Sequence, residues 1–119
     1  MLKFTNPYSG REMDVALVRD QYVEGSRLYV GLWAFDAEEN FWEPWSEITV
    51  NLPGETLTDE LCGFVDSNYC NTGGSMPGFL VENGLAAPTG KVAFSGFCTY
   101  QEFRFNIEKI DEHLLVIAR

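Results

Sequence analysis

The sequence of 119 residues has no lysine or arginine between Arg27 and Lys91, and it contains a single histidine. Each flank of this stretch carries four acids and four bases that cancel, so the whole formal charge of −10 belongs to the middle of the chain. Its ten carboxylates are Asp36, Glu38, Glu39, Glu43, Glu47, Glu55, Asp59, Glu60, Asp66 and Glu82. A field of this sign repels nucleic-acid phosphates and anionic lipid. We therefore expect no direct nucleic-acid binding and no membrane binding, and a basic protein or a cation remains permitted.

Long apolar runs are also missing. Nowhere do about 18 apolar residues follow one another, and the segment Met1–Pro7 lacks an apolar stretch of signal-peptide length. The three cysteines, Cys62, Cys70 and Cys98, are odd in number and irregular in spacing, which favours free thiols over a disulfide framework. These observations predict a protein of the reducing cytoplasm.

Apolar and aromatic residues are abundant by contrast. Hydrophobic residues make up 45% of the chain, and they include nine Phe, five Tyr and three Trp. This apolar area can offset the chain entropy lost on folding, so a disordered chain is not expected. The length suits one domain, and no repeat or linker divides it. We predict a single acidic domain over residues 1–119.

The hydrophobic pattern favours strands in the first half of the chain. Segments near Glu12–Val23, Leu28–Phe35 and Phe41–Leu52 are rich in β-branched and aromatic residues, and the last two flank a short polar loop. A helix is predicted from Met76 to Asn83, with Gly just past its end. The tail over 108–119 fits either a helix or a strand. We predict an α+β fold: a mainly antiparallel sheet of about five or six strands, with one or two short helices packed on one face.

The polar loop predicts a β-hairpin whose two strands both carry apolar residues on both faces. Because Pro44 has no backbone donor, the second strand should be an edge strand or bulged there. An unbroken alternation would place Glu43 and Glu47 on one face. If Ala37 pairs with Asn40, the expected cross-strand pairs are Phe35–Trp42, Trp33–Pro44 and Tyr29–Ile48.

Aromatic and acidic residues meet on this hairpin. Trp42 and Trp45 are either ordinary core residues or part of an exposed aromatic contact surface, and the two apolar faces keep both readings open. Glutamates at the hairpin tip and along its second strand could line one edge. The candidate interaction surface is Trp42, Trp45, Glu38, Glu39, Glu43 and Glu47.

Several short segments resemble a known but uncharacterised family. They are Phe64–Cys70, Glu82–Leu85, Pro88–Gly90, Ser95–Tyr100 and Phe103–Phe105. In these segments the chain resembles small proteins carried on conjugative and other mobile elements of anaerobic bacteria. Ser67, Tyr69 and Asn71 depart from the pattern of that family. The resemblance implies a genomic setting and no mechanism.

No residue set predicts a metal or cofactor. Cys62, Cys70, Cys98 and His113 have the ligand types of a zinc site, but structural zinc ligands usually come in pairs two to four residues apart, and no two of these are so close. We expect Cys62 and Cys98 to be buried, and we expect neither metal nor cofactor.

Two further constellations have a plain structural alternative. A thiol nucleophile would need Cys98 or Cys70 beside His113 with an orienting Asp66 or Asp111, yet a histidine next to acids is usually a solvated surface residue. Asp66 and Asn68 begin like a calcium loop, but the sixth and twelfth positions lack the required Gly and Glu. We assign Asp66 and Asn68 to a structural loop, in which their side chains bind local backbone, and we name no catalytic residue.

Three functional classes remain. The leading hypothesis is a small non-catalytic accessory protein that binds another protein, which could be basic. A second is an acidic decoy that mimics DNA and blocks a DNA-binding defence protein. A third is an enzyme that the sequence does not reveal. The oligomeric state is left open by the sequence.

Overall fold

The fold is built from eight strands and two short helices in the part of the chain that the structure describes. The computed structural model describes residues 2–6, 9–22, 27–52, 54–66, 76–96 and 98–115. The elements in chain order are β1 (Lys3–Thr5), β2 (Glu12–Gln21), β3 (Leu28–Asp36), β4 (Phe41–Glu47), β5 (Thr49–Val50), β6 (Cys62–Asp66), α1 (Met76–Glu82), β7 (Ala86–Ser95), β8 (Cys98–Phe105) and α2 (Ile107–Asp111).

The strands form two antiparallel sheets, ordered β1-β2-β3-β4 and β5-β6-β8-β7. The chain passes from the first sheet to the second at Ile48, between β4 and β5. At this corner the Ile48 amide donates to the Val30 carbonyl at 2.9 Å, and the Val30 amide donates to Thr49 Oγ1 at 3.1 Å. These bonds hold β3 against the start of the second sheet.

The first sheet is apolar on one face because alternate residues of each strand point to the same side. Val15 pairs with Ala34 and Leu17 pairs with Leu32 across β2 and β3, and all four are buried. This core face packs with the second sheet and with both helices, and the ring of Phe4 meets that of Phe79 of α1 edge to face at 5.1 Å. One hydrophobic core therefore joins residues of both sheets and both helices.

The opposite side of the second sheet carries a smaller apolar cluster. Phe64, Ala93 and Tyr100 are buried there under the loop between β5 and β6, which supplies Leu52 and Leu57. The loop covers what would otherwise be an exposed apolar sheet face.

The α+β class and the dominance of antiparallel strands are confirmed, and the strands divide into two sheets where one of about five or six strands was expected. The predicted helix is α1, Met76–Glu82. The ambiguous tail has both characters: α2 spans Ile107–Asp111 and is followed by a parallel bridge from Leu114 to Leu17.

Free thiols were expected for all three cysteines, and this is wrong for Cys98, which is disulfide-bonded. Cys62 is a free, fully buried thiol, Cys98 is half-buried where burial was expected, and Cys70 lies outside the described residues. Sequence spacing misled because only the fold decides which sulfurs meet. The cytoplasmic prediction loses part of its basis, since disulfides persist mainly in oxidising compartments.

Candidate functional site

The tip of the β3–β4 hairpin is shaped by Asp36. One oxygen of its carboxylate accepts the backbone N–H groups of Glu38 and Glu39 at 2.9 and 3.2 Å, and its carbonyl accepts the Asn40 amide at 2.8 Å. Asn40 has a φ of 58°, a left-handed conformation that asparagine tolerates better than most residues. The side chains of Glu38 and Glu39 are left exposed to solvent.

Trp42 belongs to the outer face of the first sheet, opposite the core. It pairs with Phe35, and their ring centroids lie 5.3 Å apart at 52°. Trp33, opposite Pro44, continues the same face, and all three aromatic rings are half-buried. Trp42 is thus neither a core residue nor fully exposed, because it shares its apolar area with a neighbouring ring.

A bulge in β4 corrects the expected register beyond Pro44. The pairs Phe35–Trp42 and Trp33–Pro44 are confirmed, but Leu32 then pairs with Ser46 and the register shifts. The expected pair Tyr29–Ile48 is therefore wrong. Trp45 lies at the shift, and its side chain is 38% exposed. The expected bulge or edge at Pro44 is confirmed on both counts, since β4 is also the edge strand of the sheet.

The same bulge separates two glutamates that were expected on one face. Glu43 pairs with Ala34, which faces the core, whereas Glu47 pairs with Gly31, which faces outward. An inserted residue reverses the alternation of a strand, so residues four apart end on opposite sides. The four glutamates of the hairpin therefore flank the strand on two sides and form no single row.

Glu47 gives the outer face a negative field. The pKa of Tyr29 lies above its ordinary value. Burial is the main cause, and the negative charge of Glu47 adds to it. The pKa of Tyr22 is also raised, chiefly by burial and also by Glu47, against the lowering effect of its hydrogen bond to Thr49. The two tyrosine rings stack edge to face at 5.4 Å. They extend the aromatic face toward the corner between the sheets, and the hypothesis from sequence did not include them.

The glutamates of the hairpin are not neutralised within the described part of the chain. The ion pairs are Lys3–Asp14, Arg19–Asp111, Arg104–Asp59 and Lys109–Glu112. Arg27 donates to the Leu52 and Glu55 carbonyls, and Lys91 donates to the Thr56 carbonyl. Of the ten central carboxylates, Asp59 alone is in one of these ion pairs. Glu38, Glu39 and Glu47 are exposed to solvent, and Glu43 is half-buried.

A buried carboxylate that sequence reasoning missed lies in the second sheet. The side chain of Glu102 is fully buried, and it accepts hydrogen bonds from the Thr58 amide, the Thr58 hydroxyl and the Thr89 hydroxyl at 2.8, 2.5 and 2.6 Å. Burial raises the pKa of Glu102, but these three donors and the nearby Lys91 outweigh it, so the pKa lies below its ordinary value. The residue pattern of β8 does not reveal the burial of Glu102, because the donors that bind its carboxylate come from a loop and from the irregular part of β7.

The side chain of Glu102 links two other segments of the chain by hydrogen bonds. Thr58 belongs to the loop between β5 and β6, and Thr89 lies at the irregularity in β7 between Pro88 and Val92. A carboxylate whose oxygens are occupied by fixed donors holds these segments together and has little capacity left for a ligand.

Two open hollows of about 850 and about 730 Å³ lie at the surface. The first is lined by Arg19 and Arg27 together with Asp20, Asp59 and Glu60. The second is lined by Lys91 and Arg104, which already bind the Thr56 carbonyl and Asp59. These engaged cations do not form a ready site for an anionic ligand.

The structure describes only some of the remaining candidates. Asp66 ends β6 and is buried, while Asn68 and Cys70 lie outside the described residues. The disulfide occupies the sulfur of Cys98, and Asp111 is held by two hydrogen bonds from Arg19 at 2.9 and 3.1 Å. Within the described ranges no three His, Cys, Asp or Glu side chains cluster as metal ligands do. None of the helices described is long and apolar enough to cross a membrane.

Comparison with known proteins places the chain in a family without assigning an activity. No curated protein and no solved structure is detectably similar to it. One family model, described as a domain of unknown function (DUF4313), matches residues 16–115. The match runs from β2 to the bridge that follows α2 and includes the whole hairpin. The chain therefore belongs to the DUF4313 family.

Proposed function

We propose that this protein is a non-catalytic accessory protein that binds a basic segment of another protein through its hairpin surface, defined as Glu38, Glu39, Trp42, Glu43, Trp45 and Glu47. The observation that carries the proposal is the unneutralised charge of the hairpin beside exposed aromatic area. One hairpin carries four glutamates that form no ion pair among the described residues, together with Trp45, which is 38% exposed.

Aromatic anchors and charge would have separate roles in such binding. Rings such as Trp45 bury much area at little entropic cost and often anchor interfaces. Surrounding glutamates steer a basic partner and select against acidic ones. Strand addition at β4 is disfavoured, because Pro44, the bulge and acidic side chains blunt this edge. The partner is therefore expected to contact side chains and not the strand backbone.

The decoy that mimics DNA receives no support from a specific observation. This hypothesis requires a row of acidic side chains on one face. The bulge places Glu43 and Glu47 on opposite faces. The mobile-element setting implied by the resemblance and the cytoplasmic location both stay predictions.

The proposal is tested with charge-matched variants in an affinity capture from the source cells. The hairpin variant carries Glu38→Gln, Glu39→Gln and Glu43→Gln. The control variant carries Glu12→Gln, Glu60→Gln and Glu82→Gln, which removes the same charge from exposed sites elsewhere. A third variant, Trp45→Ala, removes the exposed ring.

We expect the wild type and the control variant to retain a basic protein. The hairpin variant and Trp45→Ala should lose this protein. Its retention should weaken with rising salt, because exposed charges are screened. Equal retention by the hairpin and control variants would overturn the proposal, and so would the absence of any retained protein. Displacement of the partner by duplex DNA would favour the decoy over the accessory role.

A further inference from the structure

Four strands lie at the sheet edges, namely β1, β4, β5 and β7. Edge strands expose unpaired backbone N–H and C=O groups that can pair with another chain, and proteins usually blunt them. β1 and β5 are short, with three and two residues. β4 contains Pro44 and a bulge. Three of the four edges are therefore protected.

The fourth edge is protected along one half only. β7 has Pro88 and an irregular register between Pro88 and Val92. Its second half, Val92–Ser95, pairs regularly with β8 and contains no charge, proline or bulge. Val92 is 43% exposed and Phe94 is 72% exposed, the largest value among the exposed large hydrophobic side chains described. Among the residues that the structure describes, no strand pairs with the outer side of this half, which is an apolar edge.

We propose that the Val92–Ser95 edge pairs with the same edge of a second copy of this chain. The segment is self-complementary about Ala93. In an antiparallel pair centred on Ala93, Val92 of each copy lies opposite Phe94 of the other. The two-fold axis produces this contact twice, as in any isologous interface. A β-branched residue opposite an aromatic one is a favourable cross-strand pair.

The local charge at this edge is consistent with a second copy. The net charge of −10 opposes association of like chains in general. In the proposed register, however, Lys91 of one copy lies opposite Ser95 of the other. Ser95 and Phe94 line a small hollow together with Glu55. Lys91 binds the Thr56 carbonyl of its own chain, and in this register it lies at the end of the pair where Glu55 of the other copy lines the same hollow as Ser95.

The register is tested by charge exchange in the full chain, with sedimentation equilibrium over a range of concentrations. The wild type should shift from the mass of one chain toward that of two. Val92→Lys alone and Phe94→Glu alone should each weaken self-association about tenfold or more, because each places an unpaired charge opposite an apolar side chain twice.

An equal mixture of the two variants should restore dimers. In the mixed pair the new lysine faces the new glutamate, and the second contact keeps its native Val92 and Phe94. Both substituted side chains are exposed, so folding should persist, and circular dichroism checks this. Val81→Lys is the control, since Val81 is 52% exposed on α1 and should not affect association.

A wild type that stays monomeric, or a mixture that does not restore dimers, would overturn the proposal. In either case the edge would be left for a strand of a different protein. The inference is independent of the proposed function, because the hairpin variant should dimerise like the wild type.

Discussion

The ring of Tyr29 lies across Gly31 on the outer face of β3. A Cβ at position 31 would lie 2.6 Å from the Tyr29 hydroxyl oxygen and 3.1 Å from the ring carbon that bears it. Tyr29 also stacks on Tyr22, whose hydroxyl donates to the Thr49 carbonyl at 2.9 Å. A missing side chain in β3 thus lets two tyrosines pack toward the corner between the sheets.

Gly31→Ala should destabilise the fold by about 0.5–1.5 kcal/mol, because the half-buried Tyr29 ring must leave its present rotamer to admit the new methyl group. Urea unfolding gives the free energy. Gly78→Ala is the control: its Cβ meets nothing within 4 Å, and alanine is favoured over glycine inside a helix. Adding Tyr29→Phe to Gly31→Ala should recover part of the loss. A loss that Tyr29→Phe leaves unchanged would show that the hydroxyl contact is not the cause.

Tyr22→Phe should cost about 0.5–1.5 kcal/mol, because it removes the hydrogen bond to Thr49 while keeping the stacked ring. Tyr29→Phe is the matched control, since the Tyr29 hydroxyl makes no hydrogen bond within the described residues. Thermal or urea unfolding of both variants measures the difference. Equal stabilities of the two variants would contradict the bond to Thr49 as a support of the corner.

Glu102→Gln should destabilise the fold by about 1–3 kcal/mol, because the amide nitrogen of glutamine would face a donor that now points at a carboxylate oxygen. Glu82→Gln, at an exposed site, is the control for the loss of one carboxylate. Equilibrium unfolding at neutral pH measures both. If Glu102→Gln were as stable as the wild type, the structural role of the three hydrogen bonds would be refuted.

Glu102 should also make stability depend on acid pH. Its pKa in the fold lies below the ordinary value of 4.5, so its contribution is present above that value and is lost as the pH falls through the folded pKa. The wild type should therefore lose more stability than Glu102→Gln between about pH 7 and about pH 3.5. Urea midpoints at the two pH values measure this, and parallel losses would show that Glu102 is not responsible.

The cysteines should differ in alkylation. In denaturant without reductant, Cys62 should react with iodoacetamide and Cys98 should not, because Cys98 is disulfide-bonded. In the native protein Cys62 should react slowly, since it is fully buried and burial, with its hydrogen bond to Asp59, raises its pKa. Peptide mass mapping distinguishes the sites. Alkylation of Cys98 without reductant would contradict its disulfide bond and would agree with the free thiol expected from the sequence.

Sequence reasoning found all six residues of the hairpin surface but not the two tyrosines that extend the outer face beside it. Trp42, Trp45 and the four glutamates were recognised from the composition of the hairpin. Tyr22 and Tyr29 were not, although Tyr29, Trp33 and Phe35 recur with the period of two that marks one face of a strand. Only the tertiary structure showed that the Tyr29 ring stacks on Tyr22 beyond the end of β2.

The α+β class, the hairpin around residues 36–40, the short helix α1 and the negative charge in the middle of the chain were all predictable from the sequence. Each of these depends on local pattern or on composition, which requires no knowledge of distant contacts. Tertiary structure alone decided the division into two sheets, the bulge that separates Glu43 from Glu47, the disulfide bond of Cys98 and the burial of Glu102. Each of those features depends on which distant segments of the chain come into contact. The local pattern of one sequence does not reveal these long-range contacts.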